Sequence, residues 1–102
     1  MSWNERPIPE PVFDDPNAVE MLRVWIASRK LHCSIKVGMY KETTKIPEEK
    51  AWGIILADVA RHVSHALEEC YSTDDTISLV KIRESFLEEM AKPTSRAKGK
   101  FA

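Results

Sequence analysis

Apolar and polar residues alternate from Leu31 to Tyr40. The residues that would share one face of a strand are all apolar: Leu31, Cys33, Ile35, Val37 and Met39. Because successive side chains of a strand point to opposite faces, this pattern predicts a β-strand with one buried face.

Three helices are predicted around this strand. The first begins at Asp15 and Pro16, a capping residue followed by a proline in the first turn, and continues to about Arg29. The second and longest runs from Ile46 and Pro47 to about Tyr71, where apolar residues recur at intervals of three and four. The last follows the polar turn 72–75 and ends before Pro93.

The first half of the long helix is apolar or small on nearly every side. Trp52 belongs to the predicted core stripe, whereas Gly53, Ile54 and Ala57 lie off it. A helix of this kind is buried on more than one side, either between layers or in an oligomer. Gly53 lowers the helix propensity of this segment, and close contact with another backbone would explain why a glycine stands at this position.

The predicted fold is therefore α+β, with three helices and one or two strands. A single strand leaves backbone donors and acceptors unpaired, so a second strand must supply their partners. We expect antiparallel pairing of Leu31–Tyr40 with the same segment of a second copy, in a homodimer. The proline-rich arm, residues 1–13, is the alternative partner. The predicted interface consists of Leu31, Cys33, Ile35, Val37, Met39 and Ile54.

Length and charge narrow the class of protein. The 102 residues suit one domain, predicted at 14–91 between the arm and a basic, disordered tail at 92–102. Four basic residues follow Glu89, the last acidic one, so the tail carries +4 and residues 1–91 carry −5. An acidic body argues against nucleic-acid binding.

The sequence shows no membrane-spanning or leader pattern, and its two cysteines are expected to be reduced. We therefore expect a cytoplasmic protein.

Four potential metal ligands lie on one side of the long helix. Asp58, His62, His65 and Glu69 follow at spacings of four, three and four. Imidazole and carboxylate groups bind Zn²⁺ or Mn²⁺, and residues so spaced are neighbours on a helix surface. The alternative is a solvated polar stripe, since one helix seldom completes a tetrahedral site.

Two long runs carry a resemblance to a known family: DPNAVEMLRVWIASRKLHCSIKVGMY (15–40) and AWGIILADVARHVSHAL (51–67). They resemble a small bacterial domain family numbered 5076 among the domains of unknown function. The resemblance implies a compact bacterial protein and assigns no catalytic residues.

We therefore expect a non-enzymatic, homo-oligomeric structural or interaction module that needs no cofactor. The alternative function is a metal-binding protein or metal-dependent enzyme that uses the four ligands on the long helix.

Overall fold

A computed structural model of the chain describes residues 4–40, 45–94 and 98–101. A short 3-10 helix at Glu10–Asp14 precedes the main elements. These are the strands β1 (Leu22–Ala27) and β2 (Lys30–Ile35), the helices α1 (Glu48–Tyr71) and α2 (Asp75–Ala91), and the strand β3 (Lys98–Phe101). The fold is α+β, as predicted, with two α-helices rather than three in the described ranges.

The sheet is built around a tight β-hairpin. Strands β1 and β2 are antiparallel, and a two-residue turn of Ser28 and Arg29 joins them. Both turn residues have positive φ, 52° and 61°, as the hairpin turn that matches the twist of the strands requires. The ring Nε2 of His32 lies 3.1 Å from the carbonyl oxygen of Ala27, which ties β2 to the end of β1.

The predicted helix at 16–29 is wrong, because its second half forms β1. Leu22 and Ile26 are four residues apart and fit a helix, but with Val24 they also alternate along one face of a strand. Val24, Trp25 and Ile26 are β-branched or aromatic, residue types that pack well on a pleated sheet. Tertiary pairing with β2 therefore decides the conformation of this segment.

The predicted strand, Leu31–Tyr40, is correct over residues 31–35; β2 begins one residue earlier, at Lys30, and the prediction is too long beyond Ile35. The chain leaves the sheet before Gly38, whose φ of 98° is unsuited to a continuing strand. The partner of β2 is β1 of the same chain, neither a second copy nor the arm. On its other side β2 pairs in parallel with β3. The predicted pairing of β2 with another β2 is thus replaced by pairing within one chain.

Strand β3 lies in the tail for which the sequence predicted disorder. Its pairing with β2, from His32↔Lys98 to Ile35↔Phe101, departs from that prediction. Residues 1–3 of the arm and residues 95–97 and 102 of the tail lie outside the described residues. The predicted domain boundaries remain predictions.

Both predicted later helices are confirmed. Helix α1 starts directly after Pro47, with Glu48 and Glu49 in its first turn, where the helix dipole favours acidic groups. It ends at Tyr71, and the next residue, Ser72, adopts the left-handed conformation at φ 58°. Asp74 caps the start of α2, and its carboxylate accepts a 3.0 Å hydrogen bond from the Ile77 amide.

The sheet and the helices form two separate units. Among the described elements, β1 lies against β2, β2 against β3 and α1 against α2, and no Cα atom of a strand comes within 8 Å of a Cα atom of a helix. Ala51 and Ser64 are the buried residues of the described ranges. Trp52, expected in the core, is half-buried, and a Cβ added at Gly53 would meet nothing within 4 Å, so the expected close backbone contact is not made within one copy.

The molecule is consequently loosely packed for its length. Its accessible surface is 9153 Å², whereas a folded monomer of 11.7 kDa exposes about 5,900 Å². Its radius of gyration is 15.5 Å, against about 13 Å for a compact domain of this length. No helix in the described part of the chain has the length and apolar character needed to span a membrane.

Glu48 fixes the start of α1 and provides a test of this geometry. Its two carboxylate oxygens accept hydrogen bonds from the Tyr40 amide (2.8 Å) and from the Trp52 indole Nε1 (3.1 Å). We expect Glu48→Ala to lower the free energy of unfolding by about 1–3 kcal/mol, because two partly buried donors lose their acceptor. Urea denaturation at fixed protein concentration measures this loss.

Glu49→Ala is the matched control, since Glu49 lies in the same first turn and is exposed. It should change the free energy of unfolding by less than about 0.5 kcal/mol. Equal losses for the two variants would mean that the helix dipole, rather than the two hydrogen bonds, accounts for the effect.

Candidate functional site

One face of the hairpin is entirely apolar. The register pairs Leu22 with Ile35, Val24 with Cys33, and Ile26 with Leu31. Directly opposite residues of antiparallel strands point to the same side, so these six side chains form one surface. We call this surface the sheet face.

The sheet face is only partly covered within one chain: Leu22, Cys33 and Ile35 are half-buried, and Leu22 and Val24 line a cleft together with Ile8 and Val12 of the arm. Ile26 is 78% exposed, and Val24 and Leu31 are 48% and 39% exposed. Leu31, Cys33 and Ile35 were predicted as interface residues, and the register brings them together on this face. The sequence reasoning missed Leu22, Val24 and Ile26, although their alternation was a signal for a strand. Val37 and Met39 lie beyond the end of β2 and do not extend the face.

The opposite face of the hairpin carries Trp25 and Ala27 beside four polar residues: Arg23, Lys30, His32 and Ser34. Arg23 donates to Glu20 at 2.6 Å and to Glu5 at 3.1 Å. The hydrogen bond and the charge of Glu20, with a smaller contribution from Glu5, raise the pKa of Arg23. The arm lines an open cleft of about 500 Å³ beside β1, but the guanidinium group in it is already paired with these two carboxylates.

A second apolar surface follows α1. It comprises residues at intervals of three and four, all of them exposed: Leu56, Val59, Val63, Ala66 and Cys70. We call this surface the helix stripe. Ser64, which is 2% exposed, lies about 100° around the helix from Val63. Helix α2 therefore packs on a different side of α1 and leaves the helix stripe uncovered.

Helix α2 adds further exposed apolar residues. Ile77, Val80, Phe86, Leu87 and Met90 are each between 48% and 71% exposed. Ile54, the remaining predicted interface residue, is 54% exposed on α1. Exposed apolar surface on this scale is typical of interaction sites.

The four potential metal ligands are not gathered around one point. Asp58 lies 3.0 Å from the Arg61 guanidinium and 3.7 Å from His62 Nε2. His65 Nδ1 is 2.9 Å from a carboxylate oxygen of Asp75, on α2. Within the described residues, no group of three or more His, Cys, Asp or Glu side chains is arranged to hold a metal ion. A site made by Asp58, His62, His65 and Glu69 would thus require new side-chain positions, and it remains a prediction.

The sequence match decides the family. A family model, Domain of unknown function (DUF5076), matches residues 5–94. The chain belongs to the DUF5076 family. This confirms the resemblance carried by the runs 15–40 and 51–67, and the match includes the hairpin, α1 and α2.

The fold also occurs in a known structure. A chain from the photosynthetic bacterium Rhodopseudomonas palustrus CGA009, described as a "putative pyruvate dehydrogenase", is similar with a TM-score of 0.68. The two chains are 23% identical, and the similarity covers 96% of this DUF5076 chain and 94% of the other. At this identity the likeness shows the fold. No curated protein matches the DUF5076 chain in sequence.

The metal hypothesis can be tested by titration. We expect no stoichiometric sub-micromolar binding of Zn²⁺ or Mn²⁺, because two of the four ligands are already paired with other side chains. Asp58 is paired with Arg61, and His65 with Asp75. Isothermal titration calorimetry on metal-free protein measures this.

A real site would show two signatures. Its affinity would fall with falling pH, because protons compete with the metal for the imidazole nitrogens, and changing both His62 and His65 to Gln would abolish binding. Either signature, together with tight binding, would contradict our expectation and favour the metal-dependent alternative.

Proposed function

We propose that this DUF5076 protein is a non-enzymatic homo-oligomeric interaction module whose functional unit is a dimer. The observation that supports the proposal is the exposed apolar surface of two units that do not pack on each other within one chain. The likeness to the Rhodopseudomonas chain supports the fold, and we do not extend the activity named for that protein to this one.

The area of this surface fits a stable dimer. One copy exposes about 3,300 Å² more than a compact monomer of its mass. If dimerisation buries half of this excess on each of the two copies, the total area buried in the interface is about 3,300 Å². Obligate homodimers bury about 2,000–5,000 Å². Such interfaces are more apolar than transient ones, and the sheet face and helix stripe have this character.

The same observation favours a protein that functions by binding other chains over an enzyme. The exposed groups best placed to interact with another molecule are aliphatic and aromatic side chains, which supply affinity and carry no proton-transfer or nucleophilic chemistry. The histidines are in exposed pairs with Asp58, Asp75 or a backbone carbonyl oxygen. The proposal is therefore that binding itself is the function.

Ile26→Glu tests the proposal directly. Ile26 is 78% exposed in one copy, so a glutamate there should leave the folded monomer intact. In a dimer it would place a charge in an apolar interface and raise the dissociation constant at least about 100-fold, or about 2.8 kcal/mol. Sedimentation equilibrium should give the wild type twice the 11.7 kDa mass of one chain and the variant a value close to one chain.

Ala27→Glu is the matched control. Ala27 is the next residue of β1, points to the opposite face, and pairs with Lys30, which would favour a glutamate. It should remain dimeric. A wild-type protein that sediments as one chain at high micromolar concentration would overturn the proposal, as would equal dissociation of both variants.

A further inference from the structure

Within one chain the sheet face is only partly covered and the helix stripe is exposed, and one arrangement of two copies covers both. We propose that the sheet face of each copy packs on the helix stripe of its partner, so that a twofold dimer forms by reciprocal exchange. This inference rests on the proposed function and specifies the surfaces through which the dimer forms.

The dimensions of the two surfaces match. From Leu22 to Ile26 the sheet face is about 13 Å long, at about 3.3 Å per residue. From Leu56 to Val63 the helix stripe extends about 10 Å, and from Leu56 to Cys70 about 21 Å, at 1.5 Å per residue. A helix with its side chains is about 10–12 Å wide, enough to cover a two-stranded face. One sheet face thus covers two to three turns of α1.

The chemistry of the surfaces also matches. The six side chains of the sheet face carry no formal charge, and Cys33 is the most polar of them. On α1, the polar pair Asp58–His62 lies beside the helix stripe and not within it. Packing the sheet face on this stripe would bury aliphatic side chains and leave Asp58 and His62 at the solvated rim.

Symmetry distinguishes this arrangement from packing between like surfaces. If sheet face packed on sheet face, the helix stripes would be covered in the same dimer only where both surfaces lie against one twofold axis; otherwise they would need a second interface. Two interfaces about different twofold axes generate an open chain of molecules, whereas a reciprocal exchange closes after two copies. The reciprocal exchange therefore covers both surfaces through one pair of equivalent contacts in a closed dimer.

The native cysteines provide a direct probe, because Cys33 lies on the sheet face and Cys70 on the helix stripe. One variant keeps Cys33 as its single thiol, through Cys70→Ser. The second set consists of three variants, each with Cys33→Ser and a single thiol on the helix stripe. One keeps native Cys70, and the other two carry Val59→Cys or Val63→Cys together with Cys70→Ser. The first variant is mixed with each of the second set in urea, refolded, and treated with a short bismaleimide.

We expect cross-linked heterodimers of the first variant with at least one stripe variant, in several-fold excess over either homodimer. The matched control moves the strand thiol by one residue, with Ser34→Cys in a chain that lacks Cys33 and Cys70. Ser34 is on the opposite face of β2, so its cross-linking to the stripe should fall at least about tenfold.

Sedimentation of the same samples separates the two levels of the proposal. A dimer in which Cys33 cross-links mainly to Cys33, or stripe mainly to stripe, would overturn the reciprocal packing and leave the proposed function intact. A protein that sediments as one chain would overturn both. A dimer with equal cross-linking from positions 33 and 34 would also contradict the exchange.

Discussion

The lack of packing between sheet and helices is the constraint on which the rest of the structure depends. In an α+β domain, a sheet has one apolar face and a helix one apolar stripe, and each must be covered by another layer. Here, among the described elements, strands contact strands and helices contact helices. Ala51 and Ser64 are therefore the buried residues of the described ranges, and each unit retains an uncovered apolar side.

Each unit is nevertheless well defined by local interactions. The Ser28–Arg29 turn sets the register of the hairpin, and His32 reaches back across it to Ala27. Asp74 caps α2, and His65 on α1 pairs with Asp75 at the start of α2, so the two helices are tied at their connection. Such contacts fix the shape of a unit but supply little burial, and a two-stranded hairpin is only marginally stable without a packed face. The described residues therefore contribute little apolar burial to the stability of the fold.

The sequence predicted the elements with strong local signals and missed those that depend on pairing. Pro47 and the acidic first turn marked the start of α1, and the polar turn before Asp75 marked the start of α2. Strand β1 was missed because Leu22 and Ile26 satisfy helical and strand spacing at once. The turn that would have revealed the hairpin is Ser-Arg, whereas the usual signal for this turn is Asn-Gly or Asp-Gly. Of the candidate site, the sequence correctly placed Leu31, Cys33 and Ile35 on one face, but their cross-strand partners could be found only from the register.

The most direct test of the account is the dependence of stability on protein concentration. If a second copy completes the fold, unfolding separates two chains, and a tenfold rise in concentration stabilises the folded state by about 1.4 kcal/mol. With a urea slope of about 2 kcal/mol per molar, the midpoint should rise by about 0.7 M for each tenfold increase. A midpoint that stays constant from low to high micromolar concentration would show that one chain is stable by itself and would contradict the account.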